Sequence, residues 1–368
     1  MRPRVRTILI FLLTIGLLAF FFRKSNPAEV WAETRRADPL LLIAAVLFTG
    51  FTYVLRAWRW QSLLAPIGRT HFGIAFRATI IGFAANLLLP ARAGEVIRPY
   101  VLARREHISA SAAFATIILE RVLDTATVLL LFAYFVFTVQ PGVVSADPSA
   151  LANVKFWGLV AGAASVAGLV VLFVLAGHPE RLGRAALRIE RVLPDTLARK
   201  VAAVVETFAQ GLGVMRQPAR LLVALAQSFP LWLSIAAGIW LSSRAFHITF
   251  PYTASFLITT LLVVGVAAPT PGAVGGFHWA YKFGVTTFFA VPDERAVGAA
   301  IVLHAISFLP VTIAGIAFMA GEGLTFGTAR RMAQDAEGPS HVEGAQGVDG
   351  ADGAAPMPPA RRLEKGAR

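Results

Sequence analysis

A short polar run interrupts an apolar stretch and carries three charged residues at a spacing of three. Arg92, Glu95 and Arg98 follow Pro90, and Gly94 lies among them. The spacing predicts side chains along one face of a helix that begins after the Pro90 break, where Gly94 permits close backbone approach. Guanidinium groups match phosphate oxygens, and Glu95 could hold the arginines or take a proton. The pattern favours a phosphate-binding site; the alternative is an internally satisfied ion cluster in the headgroup zone.

A second charged group lies in an otherwise apolar helix. Glu120 and Asp124 share a face, and Arg121 can reach Asp124 one turn on. A charged side chain at the bilayer centre costs about 2.5 kcal/mol or more, so deep insertion requires partners. We therefore predict a charge network between helices, unless this helix begins near the surface and Glu120 is barely submerged. The candidate partners are Arg56, Arg59, Arg92 and Arg98.

Further polar candidates lie at a helix end and in a second broken stretch. Arg56 and Arg59, with Trp60, end an apolar run, where basic and aromatic residues usually anchor a helix at the interface; substrate contact is the other interpretation. His278 and Lys282 are four residues apart, so both could face the second break and bind anionic oxygens or exchange a proton. An ordinary polar role is equally consistent with them, and His304 is typical of a helix–helix hydrogen bond.

Enzyme signatures are missing from the sequence. It has no cysteine, nucleotide-binding P-loop, metal-spaced histidine pair or nucleophile-elbow motif. We expect no metal, no cofactor and no enzymatic activity. An intramembrane enzyme using Glu95, Glu120 or His278 as acid or base is the least supported interpretation, because no nucleophile pairs with a base.

The composition is that of a polytopic membrane protein. Of 368 residues, 56% are hydrophobic and 15% charged, against roughly 25% charged in soluble domains. The net charge of +13 lies mainly in loops and helix ends, which indicates membrane topology and not nucleic-acid binding. The fold class predicted is all-α, with about six spanning helices. They are 7–22, 39–55, 113–139, 156–176, 221–243 and 296–319.

Two more apolar stretches, 72–100 and 252–291, are broken in the middle by proline and glycine. Each is predicted to be a re-entrant-type hairpin of two half-helices, tolerated at membrane depth only where it is buried or lines a wet cavity. Asn86 immediately precedes the first break and is a further binding candidate. The break residues are Pro90, Gly94, Pro269, Pro271, Gly272 and Gly275.

The charge distribution predicts the topology. Basic residues crowd 181–220 and are missing from 140–153, which places both termini in the cytoplasm. The hairpins then enter from opposite sides, the pattern of an inverted repeat. The predicted segments are a signal anchor and loop (1–38), a first membrane half (39–176), a cytoplasmic amphipathic linker (177–220), a second half (221–321) and a disordered tail (322–368).

Three motifs in order carry a family resemblance. The run from Asn86 to Arg98, the Glu120-Arg121-Val122-Leu123-Asp124 run and the run 269–275 resemble the lysylphosphatidylglycerol synthase transmembrane-region family of flippase-like proteins. The resemblance covers about residues 40–320 and implies that the hairpins meet near the midplane. Similar proteins commonly carry glutamate where this chain has His278. No aminoacyl-transferase sequence follows, so lysyl-lipid synthesis is not expected.

The resemblance implies movement of a lipid between leaflets. We expect a flippase or scramblase in the bacterial cytoplasmic (inner) membrane that docks an anionic phospholipid or polyprenyl phosphate on Arg92 and Arg98. Without an ATPase motif, transport would be downhill or ion-coupled. The alternative is a non-transporting subunit that scaffolds or feeds a glycosyltransferase or lipid-modifying enzyme. The expected partners are membrane lipids and, in that alternative, such an enzyme.

Overall fold

The computed structural model describes residues 26–89, 92–139, 217–267 and 270–323, together with positions 16, 143, 152, 153, 155–160, 162, 163 and 167. Within these residues the chain forms helices and turns and no strand. The predicted all-helical class is confirmed there. The predicted segment 7–22, most of 156–176, and most of the linker and tail lie outside the described residues.

Nine longer helices follow one another along the described chain. They are α1 (Pro27–Arg35), α2 (Pro39–Leu64), α3 (Phe72–Leu88), α4 (Gly94–Glu106), α5 (Ala110–Thr138), α6 (Pro218–Ala245), α7 (Ser255–Ala267), α8 (Gly276–Phe289) and α9 (Asp293–Gly321). Short 3-10 turns, Tyr252–Ala254 and Pro271–Ala273, precede α7 and α8.

Helix α2 begins at a strong cap and continues beyond its predicted end. The Asp38 side chain accepts hydrogen bonds from the backbone N–H groups of Leu40 and Leu41, and Pro39 occupies the first turn. The prediction that this span ends at residue 55 is wrong, since α2 runs to Leu64. The added turns carry Arg59 and Trp60, which donate hydrogen bonds to side chains of neighbouring helices.

Three of the described helices are long and apolar enough to cross a membrane: α2, residues 219–245 of α6, and α9. The predicted spans 39–55, 221–243 and 296–319 fall within these helices. Helix α5 has 29 residues, as many as α9, but carries Glu120, Arg121 and Asp124 in its middle. This helix therefore brings charge among apolar neighbours.

Each predicted broken stretch consists of two helices that pack closely at glycines. Helix α3 lies against α4, and α7 lies against α8. A Cβ atom placed on Gly94 would collide with the Gly82 carbonyl oxygen, and one placed on Gly265 would lie 2.5 Å from the Gly276 carbonyl oxygen. The two helix pairs thus use the same device, because only glycine lets backbones approach this closely.

The two halves also make matching helix contacts. Helices α2 and α6 share the most extensive contact. Helix α3 packs on α9, and its counterpart α7 packs on α5. Helix α4 packs on α5, and its counterpart α8 packs on α9; α2 and α6 each contact both α5 and α9. The contacts are therefore preserved when α2, α3, α4 and α5 are exchanged with α6, α7, α8 and α9.

Helix α1 lies within the segment predicted as a loop. Asn26 caps it, and Pro27 occupies its first turn, a start signal that the prediction overlooked. The helix packs on α9, where Arg295 Nε donates to Glu33 Oε2 at 2.8 Å. Part of the segment 1–38 is therefore a helix that is docked on α9.

Candidate functional site

Two carboxylates on α5 form the centre of a buried ionic cluster. Glu120 and Asp124 are buried on one face of the helix. Arg98 Nη1, from α4, donates to Glu120 Oε1 at 2.9 Å, and Arg59 Nη1, from α2, donates to Asp124 Oδ1 at 2.6 Å. Arg59 also approaches Glu120 at 3.5 Å. Helices α2, α4 and α5 are therefore joined by charge-assisted contacts.

Two more arginines complete the cluster. Arg121 Nη2 lies 2.6 Å from Glu120 Oε1 and 3.5 Å from Asp124 Oδ2. Arg56 Nη1 lies 3.8 Å from Asp124 Oδ2, the longest of these contacts. The Arg121 side chain is 39% exposed, while the other three arginines are buried. Arg121 is thus the cluster member with access to the outside.

Helix α6 supplies polar side chains that sequence reasoning missed. Arg59 Nη1 donates to Ser228 Oγ at 2.8 Å, and Trp232 Nε1 donates to Asp124 Oδ1 at 2.9 Å. Ser228 and Trp232 are four residues apart and so share a helix face. The sequence signal that could have identified them is a serine and a tryptophan four residues apart in an apolar span. The second half of the chain therefore contributes directly to the site.

Aromatic rings line the arginines. The Arg98 guanidinium lies 3.9 Å from the centroid of a Trp60 ring, and Trp60 Nε1 donates to Thr116 Oγ1 at 2.9 Å. The Arg56 guanidinium lies 4.8 Å from the Phe83 ring. Because Arg59 and Trp60 are fully buried in protein, their interpretation as interfacial anchors is wrong.

The cluster is rich in hydrogen-bonding atoms that the described residues do not satisfy. The buried nitrogens without a hydrogen-bond partner there are Arg56 Nη1, Arg59 Nε and Nη2, Arg98 Nε and Nη2, and Arg121 Nε. The unsatisfied carboxylate atoms are Glu120 Oε2 and Asp124 Oδ2. Unsatisfied buried donors are costly, so this arrangement suits a ligand with several acceptor oxygens.

Arg92 and Glu95 lie at the edge of this cluster, with the Glu95 carboxylate close enough to Arg121 to interact with it electrostatically. Arg92 precedes α4 in a left-handed conformation (φ 54°), and its side chain is 48% exposed. It lies 3.8 Å from Glu95 Oε1 and donates to the Val266 carbonyl at 3.1 Å. The predicted common face of Arg92, Glu95 and Arg98 is therefore wrong, because Arg98 turns inward to Glu120. Asn86 adjoins the Gly94 backbone at the same break.

The second break brings together two histidines. His278 accepts from the Gly275 N–H at 3.4 Å through Nδ1, and its ring stacks on His304 at 4.5 Å. His304 Nε2 lies 2.8 Å from the Gly272 carbonyl, so its partner is the break and not a neighbouring helix. Lys282 lies 3.2 Å from Asp293. His278 therefore lies at the break, and the expectation that Lys282 also faces it stays a prediction.

The second break has left-handed backbone at two glycines and at Ala273, whose φ is 57°. Gly272 has φ 61° and Gly275 has φ 91°, which only glycine adopts readily. Pro90 and Pro269 lie outside the described residues, as does the side chain of Pro271. Among the residues that are described, no group of three or more metal-ligating side chains occurs.

Replacing Trp232 by phenylalanine tests the contact from α6. The change keeps an aromatic ring but removes the donor to the Asp124 carboxylate, so we expect a loss of about 1.5–3 kcal/mol in unfolding free energy. Trp240→Phe is the matched control, since its indole donates to the neutral Phe250 carbonyl at 3.0 Å. It should cost only about 1 kcal/mol. Denaturation in mixed micelles measures both; equal losses would contradict a special role of the carboxylate.

Comparisons with known proteins agree with the motifs. The sequence profile described as "Lysylphosphatidylglycerol synthase TM region" matches residues 7–315. A "UPF0104 membrane protein" of Methanothermobacter thermautotrophicus is 28% identical over 329 residues, covering 83% of this chain and 93% of the relative. The "Glycosyltransferase AglD" of Haloferax volcanii is 25% identical over 357 residues, covering 89% of this chain. The chain spans just over half of that relative's length, 57%.

The profile match covers more than half of the chain and includes all the helices that build the ionic cluster. The chain therefore belongs to the lysylphosphatidylglycerol synthase transmembrane-region family of membrane proteins.

Proposed function

We propose that the protein moves an anionic lipid between membrane leaflets, as a flippase or scramblase. The observation that carries this proposal is the buried cluster of α2, α4, α5 and α6, whose guanidinium groups retain unsatisfied donors. A phosphate headgroup would satisfy these donors while its acyl or prenyl chains stay in the bilayer. Arg121 and Arg92, both partly exposed, would contact the headgroup first, while Glu95 would hold Arg92 in position.

The packing supports alternating access as the mechanism. The matched contacts of α2–α5 and α6–α9, and the shared glycine pairs of the two broken stretches, are what two repeats of one unit would produce. In this proposal the repeats are inverted, the broken stretches are re-entrant and six helices span the membrane with both termini in the cytoplasm. One repeat would rock against the other around the fixed site.

Arg98 is the residue on which to test transport. Arg98→Gln removes a cation that touches Glu120 and faces the unsatisfied region, so we expect headgroup translocation to fall about tenfold or more. The assay uses purified protein in liposomes, fluorescent phospholipids or a fluorescent polyprenyl phosphate, and a membrane-impermeant quencher. Arg98→Lys should recover part of the rate, because lysine restores charge but not the paired donors.

The matched control is Arg104→Gln on the same helix, where the arginine is exposed. Its translocation rate should equal that of the unaltered protein. If the Arg98→Gln protein is monodisperse and its translocation rate is unchanged, the cluster does not take part in transport. Translocation of no anionic lipid by well-folded protein would refute the proposal itself.

The second candidate function is a non-transporting subunit. It is favoured by one observation, the similarity to a relative named a glycosyltransferase that is considerably longer than the matched region. In that case the membrane region would present lipid to a separate glycosyltransferase or lipid-modifying enzyme. Co-purification separates the two functions, since a scaffold needs a stoichiometric protein partner and a transporter does not.

A further inference from the structure

The ionic cluster does not neutralise itself. Within the described residues it joins four guanidinium groups, those of Arg56, Arg59, Arg98 and Arg121, to two carboxylates. Two positive charges therefore remain. Arg92 and Glu95, at the edge of the cluster, add one charge of each sign and therefore leave this balance unchanged. Unbalanced charge among buried helices is unfavourable, so a ligand of matching charge would stabilise the site strongly.

The unsatisfied atoms indicate how that charge is arranged. Six guanidinium nitrogens of four different side chains lack a hydrogen-bond partner among the described residues. Arg56, Arg59 and Arg98 are each more than nine-tenths buried, so their donors face the cluster interior and not bulk solvent. A terminal phosphate offers three equivalent oxygens to such donors. A phosphate inside a diester offers only two unsubstituted oxygens and one negative charge.

We propose that the headgroup recognised here is a terminal phosphate monoester, bound as a dianion, in preference to a phosphodiester or a zwitterionic headgroup. This inference rests on the proposed function and specifies its substrate class. The dianion balances the two excess charges, and its three oxygens accept from guanidinium groups on α2, α4 and α5. The ammonium of a zwitterionic lipid would instead add a cation to a site that already has an excess of them.

The test compares lipids that share their acyl chains. Dioleoyl phosphatidic acid, phosphatidylglycerol and phosphatidylethanolamine are titrated against the full chain in detergent micelles, and binding is read from native mass spectra. At about pH 8 a phosphate monoester is fully ionised. We expect phosphatidic acid to bind about tenfold more tightly than phosphatidylglycerol, and phosphatidylethanolamine to bind weakest. Equal affinity for the first two lipids would overturn the proposal.

Variants link the preference to the cluster. Arg56→Gln removes one excess charge while leaving the shorter contacts of Asp124 in place, so the preference for phosphatidic acid should shrink toward unity. Arg104→Gln, which removes an exposed charge outside the cluster, should keep the preference. If Arg56→Gln is poorly folded, Arg56→Lys keeps the charge and should keep the preference. A preference that survives folded Arg56→Gln unchanged would overturn the assignment to this site.

Two further measurements distinguish a lipid headgroup from a free phosphate, and the preference for a monoester from the transport proposal. Glycerol 3-phosphate and inorganic phosphate should compete only weakly, since they lack the chains held by the bilayer; competition as strong as that of the lipid would assign the site to a free phosphate and overturn lipid recognition. Translocation is measured on the same lipids in liposomes. Equal translocation of monoester and diester leaves the transport proposal standing and overturns this one. Selective binding of phosphatidic acid without translocation of any lipid would leave the preference for a monoester standing and overturn the transport proposal.

Discussion

Replacing Arg59 by methionine is expected to lower the unfolding free energy by about 3–5 kcal/mol, the cost of breaking a buried ion pair from one side. Arg59 is fully buried and contacts Asp124, Ser228 and, at longer range, Glu120. Methionine fills similar space but leaves Asp124 without its shortest charge-assisted contact. Unfolding by a denaturing detergent in mixed micelles, followed by tryptophan fluorescence, measures the change.

Two variants determine what the loss at Arg59 means. Adding Asp124→Asn to Arg59→Met removes the other half of the pair, so the loss in the double variant should be smaller than the sum of the two single losses. Arg69→Met, at an exposed position, should change stability by less than about 0.5 kcal/mol. A double variant as unstable as the sum of its single changes would show that Arg59 and Asp124 are not coupled.

Gly94→Ala is expected to be the other severe change, with a loss of about 3 kcal/mol, the upper end of the usual range for overpacking. The added methyl group would collide with the Gly82 carbonyl and lie 2.7 Å from Asn86 Oδ1. The obstacle is backbone, so a rotamer change cannot relieve it. Helices α3 and α4 must separate, which also moves Arg98 away from Glu120. We therefore expect translocation to fall together with stability.

Gly73→Ala is the matched control on α3. A Cβ atom there meets nothing within 4 Å, so the change should be neutral or stabilise the helix by about 0.5–1 kcal/mol. Gly265→Ala provides the corresponding test in the second half, where the new methyl group would lie 2.6 Å from Ala280 Cβ. If Gly94→Ala protein is as stable as Gly73→Ala protein, the helix pair is looser than its contacts indicate.

Much of the fold followed from hydropathy and from helix-breaking residues. An apolar run long enough to cross a bilayer predicts a helix, and proline with glycine predicts where a helix stops, so the breaks after α3 and α7 were placed closely. The end of α2 was predicted too early, at residue 55. Arg56 and Arg59 look like an interfacial terminus by composition, and only the partners on α5 and α6 explain why the helix continues.

The candidate site was predicted by residue type but not by arrangement. Charges within an apolar helix require partners, which is why Glu120 and Asp124 pointed to the arginines. Periodicity along one helix cannot state which helix lies opposite. Ser228 and Trp232 were therefore overlooked, and Arg98 was predicted both on a common face with Arg92 and Glu95 and as a candidate partner of the α5 carboxylates. The contacts of Ser228 and Trp232 join segments more than one hundred residues apart.

The two glycine-packed helix pairs differ at one position of the contact. A methyl group on Gly82 would lie 2.6 Å from Arg98 Cβ, whereas a methyl group on Gly265 would lie 2.6 Å from Ala280 Cβ. A transporter with two identical halves would have equal free energies in its two orientations. Because the arginine stands on one side only, the two helix pairs are not equivalent, and in the proposed alternating-access mechanism the two orientations of the empty site would differ in free energy.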